Sequence, residues 1–361
     1  MNLRPCKNVL LLFLLFVGYI SVFANDWAPK HTREKTIRKE FKVTSEALLK
    51  IQNSYGNLVL NSWNEDKVVI EVHITTQGNN PDKVARKLES ISVAFEATEN
   101  LVSAKTQFEN NKSWNWWGGN NAIQMQVNYT IKLPVKNSVY LSNDYGGITL
   151  DRIDGHAKIN CDYGRLDLGE LRGRNNELRF DYTSKSRIGY MNSGNIKADY
   201  SGFILEKAGA LTLSADYTNS EIGSLESLEY SCDYGNLEVD EVKHLHGRGD
   251  YLSVKFNRIA EMANIQSNYG GIRIGGFDNE AQDITLETEY TGIKIGYTSA
   301  NHFDFEIDTE YTGVKGKDAL QIQVSKESNQ SKFYSGYFGA PKQGPLFKIK
   351  SSYGNIAFEK K

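Results

Sequence analysis

Cysteine is scarce, with three in 361 residues. Cys6 precedes the first apolar run, so it is not placed to be a lipidated first residue of a processed chain. Cys161 and Cys232 occupy the same slot of a repeat, four repeats apart. At strand spacing that puts them about 19 Å from each other, beyond disulfide reach, and they read as small core thiols. An excess of positive charge is missing too. With the basic Arg4 and Lys7 of the leader removed, the formal charge moves from −2 to −4, which argues against nucleic acid as a partner. No long apolar stretch follows the first one, so the processed chain is expected to be soluble. Gly-x-Ser-x-Gly, His-Glu-x-x-His and phosphate-loop signatures are all absent.

What the chain has instead is one phrase that returns: an acidic residue, Tyr, then Gly, Thr or Ser. The tyrosines are Tyr145, Tyr163, Tyr182, Tyr200, Tyr217, Tyr234, Tyr251, Tyr269, Tyr290, Tyr311 and Tyr353, with an upstream outlier in Ser54-Tyr55-Gly56. From Tyr145 to Tyr311 the intervals are 18, 19, 18, 17, 17, 17, 18, 21 and 21 residues. The last interval, 42, reads as two rungs of 21. A fixed period in this range is the mark of a stacked repeat.

Around each tyrosine the pattern alternates. Ile159, Cys161, Leu166 and Leu168 show it, as do Leu228, Tyr230, Cys232, Leu237 and Val239. Period-two alternation on both sides of the Tyr marks two short strands with one inward face each. The phase slips by one residue, which places a bend at the following Gly or Thr. A rung this short cannot bury its apolar face alone, so stacking must close the core. The expected fold class is therefore all-β: a single-stranded β-solenoid (β-helix), right-handed, with the tyrosines pointing inward as a structural ladder. About a dozen rungs would make a rod roughly 50–60 Å long. The hexapeptide left-handed helix and the Gly-Gly-x-Gly-x-Asp calcium roll lack their sub-repeats here.

In chain order, residues 1–24 read as a secretory signal peptide: Arg4 and Lys7, the run Val9–Val17, and Val22-Phe23-Ala24 before the cut. Residues 25–134 read as an N-terminal antiparallel β section and cap, carrying one short helix with Pro81 near its first turn. The solenoid is expected over 135–361, at 18–21 residues per rung. Ser331–Gly344 reads as a surface excursion, and the charged end Glu359-Lys360-Lys361 as protection of an open sheet edge. Trp114, Trp116 and Trp117 fall in a Gly/Asn-rich loop. They suit stacking on sugar rings or contact with another protein, or folding back over the solenoid end.

Seven consecutive rungs, Asp144 to Asp250, place Asp before the tyrosine. Inward tyrosines would leave these carboxylates in an outward column, each repelling the next by about 0.9 kcal/mol at water's dielectric. Bonds to backbone N–H groups of the bends are the expected compensation; a cation ladder is the other route. The histidines are scattered, and the one pair, His244-x-His246, lacks a third ligand. Glu170, Arg172 and Arg174 are the nearest approach to a polysaccharide-cleaving cluster. No catalytic residue, metal or cofactor is expected.

Three phrases carry a resemblance: Ile51-Gln52-Asn53-Ser54-Tyr55-Gly56-Asn57-Leu58, Tyr129-Thr130-Ile131-Lys132-Leu133-Pro134 and Leu141-Ser142-Asn143-Asp144-Tyr145-Gly146-Gly147-Ile148. They resemble the bacterial putative-adhesin family of unknown function, a Tyr-Gly β-solenoid, over nearly the whole processed chain. The resemblance implies export to the periplasm, outer membrane or cell exterior, and brings no catalytic residues. The expected function is a non-enzymatic adhesion or envelope scaffold module that binds glycan or a cell-surface protein. A polysaccharide lyase or hydrolase on the same fold is the alternative.

Overall fold

The computed structural model describes residues 29–109 and 122–361. The leader expected at 1–24 and Trp114, Trp116 and Trp117 lie outside the described residues. Those described form twenty-six strands joined in one mixed sheet, with one α-helix, Pro81–Glu89, and a 3-10 turn at Lys317–Ala319.

The repeat becomes structure through register. The strand before each tyrosine pairs in parallel with the strand before the next, residue for residue. Lys158–Asp162 lies on Glu177–Asp181, and Asn176–Asp181 lies on Gly194–Asp199. The strands after each tyrosine pair in the same way, as Leu166–Leu171 does with Ile148–Ile153. Equivalent residues therefore form columns. Ile51, Leu141, Ile159, Leu178, Ile196, Leu213, Tyr230, Gly247, Ile265 and Leu286 make one. The nine side-chain-bearing members of that column are buried. Each rung contributes apolar surface on one face only, and burial against its neighbours supplies about 25 cal/mol per Å² removed from water.

At its start the stack meets antiparallel strands. His31–Lys42 pairs with Lys67–Gly78, which pairs with Gln124–Pro134. Leu48–Ser54 enters the parallel stack between Leu101–Phe108 and Ser138–Asp144. The helix follows because Asn80 caps it, its side chain accepting from the Lys83 N–H at 3.0 Å, with Pro81 in the first turn. Its buried Val84 faces the sheet.

Three sequence expectations are corrected here. The tyrosines do not point inward: the eleven from Tyr145 to Tyr353 are 45–54 % exposed. The reason is the backbone. Every phrase tyrosine is left-handed, with φ between 49° and 63°, so its Cβ leaves the pleat and parity counted through it fails. The bend is thus at the tyrosine itself. The glycine after it has ordinary φ and is needed for space, since a Cβ on Gly164 would stand 2.1 Å from the Gly146 carbonyl oxygen.

The third correction concerns the end of the chain. Leu346–Ser352 inserts between Ile284–Glu289 and Phe303–Glu310, parallel to both. Asn355–Lys360 likewise lies between Gly292–Tyr297 and Gly313–Lys315. The final strand is internal over Asn355–Ala357, and its charged end, Glu359 and Lys360, pairs with Gly296 and Tyr297 on one side. The interval of 42 residues is not two rungs but an excursion: the hairpin Gln321–Glu327 and Ser331–Phe338 lays its second strand antiparallel on Phe303–Glu310. Interlocked rings hold the inserted pass, with Phe303 at 5.5 Å from Phe347 and 5.8 Å from Phe358.

Candidate functional site: the tyrosine ridge and the cleft at its start

The left-handed corner throws each ring onto the ring of the next rung. Twelve tyrosines stack face to face in the order 55, 145, 163, 182, 200, 217, 234, 251, 269, 290, 353, 311. Centroids are 4.8 to 5.2 Å apart and planes within 11°. Phe108 closes the first end, edge-on to Tyr55 at 5.9 Å. Faces are used up by stacking, so the ridge offers ring edges and hydroxyls. Desolvation, then the neighbouring phenols and carboxylates, holds Tyr163, Tyr234, Tyr269 and Tyr353 above the ordinary phenol pKa. Those hydroxyls are neutral donors and acceptors near neutral pH.

Beside the ridge runs the acidic column. Asp162 accepts from the Asp181 N–H at 3.3 Å, Asp181 from Asp199 at 3.3 Å, Asp199 from Asp216 at 3.4 Å, Asp216 from Asp233 at 3.2 Å and Asp233 from Asp250 at 2.9 Å. Each carboxylate thus bonds the backbone of the next rung's aspartate. Where Thr or Ser replaces Gly after the tyrosine, its hydroxyl bonds across rungs as well: the Thr183 N–H donates to Ser201, and the Ser201 N–H to Thr218, both at 3.1 Å.

Repulsion is not fully relieved. Desolvation first, then the neighbouring carboxylates, raises the pKa of Asp162 and Asp216, while the bond from the next N–H opposes the shift. A carboxyl raised on folding favours the native state when protonated, and that stability is lost as pH rises through the folded-state pKa. Asp216→Asn keeps the acceptor and removes the charge. At neutral pH it is expected to stabilise the protein by about 0.5 kcal/mol at low ionic strength, less in 1 M salt. Thermal unfolding at two salt concentrations checks this. Asp216→Ala, which also loses the acceptor, should gain less.

The remaining sequence candidates are dispersed. His244 meets Glu261 at 2.9 Å, with the Glu226 carbonyl at 3.2 Å from its other ring nitrogen. Arg172 pairs with Glu170 at 2.7 Å, and Arg152 with Asp154 at 2.9 Å. Many outer charges pair from rung to rung, Lys158 with Glu177 at 2.6 Å and Arg187 with Glu206 among them. Among the described residues no three His, Cys, Asp or Glu gather as metal ligands. Cys161 and Cys232 are buried and free, and burial pushes both thiols up to about 12. No helix of the described residues is long and apolar enough to cross a membrane.

A cleft of about 340 Å³ lies between Tyr55 and Tyr145 on one side and the antiparallel strands 67–78 and 124–134 on the other. Thr75 stands opposite Gln126, and Gln77 opposite Gln124, so the four share the cleft face. The corner is fixed from beneath: the Asn53 amide donates to the Val127 carbonyl at 2.9 Å and to Asn143 at 3.0 Å, and Asn143 donates to the Gly56 carbonyl at 2.8 Å. Asn57 is also committed, its N–H donating to Asn128 and its oxygen accepting from the Gly147 N–H. Sequence reading missed Gln77, Gln124 and Gln126. The only signal is the polar alternation Gln124-Met125-Gln126-Val127-Asn128, which marks an outer face without saying what faces it.

No family model matches the chain, and no curated protein matches it. Solved structures resemble it over most of its length. One is a putative cell adhesion protein from Clostridium sporogenes, 10% identical, covering 92% of this chain and 100% of that one at a TM-score of 0.20. Another is a putative adhesin from Bacteroides fragilis, 11% identical, covering 90% and 97% at 0.22. A third is a putative lipid binding protein from Parabacteroides distasonis, 11% identical, covering 90% and 96% at 0.31. Adhesin is also the description of the family that the Tyr-Gly phrases resemble.

Proposed function

We propose that this chain is an exported, non-enzymatic β-solenoid that serves the cell envelope as an adhesin-type binding module. In this reading residues 1–24 direct export and are removed, 25–134 cap the first rung, and 135–361 form a right-handed coil of rungs. The observation that carries the reading is the ridge: twelve phenol rings stacked at 4.8 to 5.2 Å beside carboxylates bonded to backbone. Such a surface holds many weak hydrogen-bonding contacts at a fixed repeat, which suits an extended, repetitive partner such as a glycan. Trp114, Trp116 and Trp117 are proposed as a further contact.

The test is a glycan array probed with the processed protein, followed by analysis of the glycans for chain ends. Saturable binding without new reducing or unsaturated ends is expected, reduced in the variant with Trp116→Ala and Trp117→Ala. Release of such ends would replace the module by an enzyme. Failure to bind any glycan or cell-surface preparation would remove the binding role.

A further inference from the structure

We propose that the cleft at the head of the ridge is a binding site for an uncharged saccharide, one or two sugar residues at a time. This rests on the binding-module reading and names the ligand class for it. The first support is unspent hydrogen-bonding capacity. Gln77, Gln124 and Gln126 make no side-chain bond to another described residue, whereas Asn53 and Asn143 beneath them use both amide atoms. Each glutamine brings two donors and one acceptor oxygen, which is what adjacent sugar hydroxyls match.

The second support is spacing. Directly opposed side chains on an antiparallel pair stand about 5 Å apart, and diagonal ones about 7 Å. The registers Thr75↔Gln126 and Gln77↔Gln124 thus set four polar groups on a grid about the size of a pyranose ring. The volume of about 340 Å³ is at the small end of ligand pockets. The third support is charge. Among the described residues, no side chain lining the cleft is ionised, so none of them neutralises a phosphate, sulfate, uronate or amine. Tyr55 and Tyr145 line the cleft as well, giving apolar surface for the C–H face of a sugar.

The test is calorimetric titration of the whole processed protein with isomaltotetraose, mannotetraose and N-acetylchitotetraose, and with tetragalacturonate as the charged control. At least one neutral tetrasaccharide should bind, and tetragalacturonate at least tenfold more weakly. The double variant Gln77→Ala, Gln126→Ala should lose tenfold or more in affinity with an unchanged melting temperature, because both side chains are on the surface. Asn195→Ala, several rungs away on the outer face, should bind as the parent does. Unchanged affinity in the double variant, or preference for the charged sugar, overturns the cleft assignment and leaves the module reading intact. If no tetrasaccharide binds while cell-surface preparations still do, the saccharide assignment falls alone. If neither binds, the module reading falls with it.

Discussion

Gly247→Ala is expected to destabilise the middle of the stack by about 3 kcal/mol, the upper part of the range for overpacking a filled core. Gly247 lies directly against Tyr230 in the inward column, and a Cβ there would stand 1.9 to 2.3 Å from three atoms of the Tyr230 ring. The ring has nowhere to go, because it is buried and tilted against Phe256 at 6.3 Å. Other rungs place Leu213 or Ile265 in this column, so one rung's extra bulk is matched by the next rung's missing side chain. Tyr230→Leu should therefore rescue Gly247→Ala, with a coupling of at least about 1 kcal/mol. Hydrogen exchange of the strands 219–250 measures the local opening energy, which suits a stack that need not unfold as one unit. An alanine variant as stable as the parent, or one that Tyr230→Leu does not rescue, would contradict this packing.

The second large effect is expected at Tyr217. Its ring lies 4.9 Å from Tyr200 and 4.8 Å from Tyr234, with planes within 2°. Tyr217→Ala loses both stacks, each worth about 0.5–1.5 kcal/mol, and keeps a side chain at φ 53°. Tyr217→Gly loses the same stacks but regains about 1 kcal/mol of left-handed strain. The expected stability order is parent, then glycine, then alanine. An ordinary strand position gives the reverse order for the last two, because glycine costs more backbone entropy. Thermal unfolding of the three proteins decides it, and alanine above glycine would mean that the corner is not left-handed.

The all-β class and the spacing of the parallel strands were legible in the sequence because they are periodic. The intervals between Tyr145 and Tyr311 set the rung length, and alternation around Ile159, Leu166 and Leu228 set the inward faces. The side of the tyrosines was not legible, since parity assumes extended backbone and a left-handed residue does not announce itself. The place of residues 346–360 was equally hidden. An interval of 42 fits two rungs as well as a hairpin and a return, and only the pairing of Leu346–Ser352 with both neighbours separates them. The Tyr230–Gly247 match was readable in principle, by aligning rungs and noticing a glycine where its neighbours carry bulk. The cleft was not, because its glutamines come from strands far apart in the chain, brought face to face by antiparallel register.

The outward ridge is tested most directly by hydroxyl-radical footprinting of the native protein, read tyrosine by tyrosine by mass spectrometry. The ladder residues from Tyr145 to Tyr353 should be oxidised at similar, substantial rates. Tyr129, Tyr230 and Tyr297, which are at most 2 % exposed, should react only after denaturation. Ladder tyrosines as protected as those three would put the rings back among the buried residues and remove the surface on which the proposed binding depends.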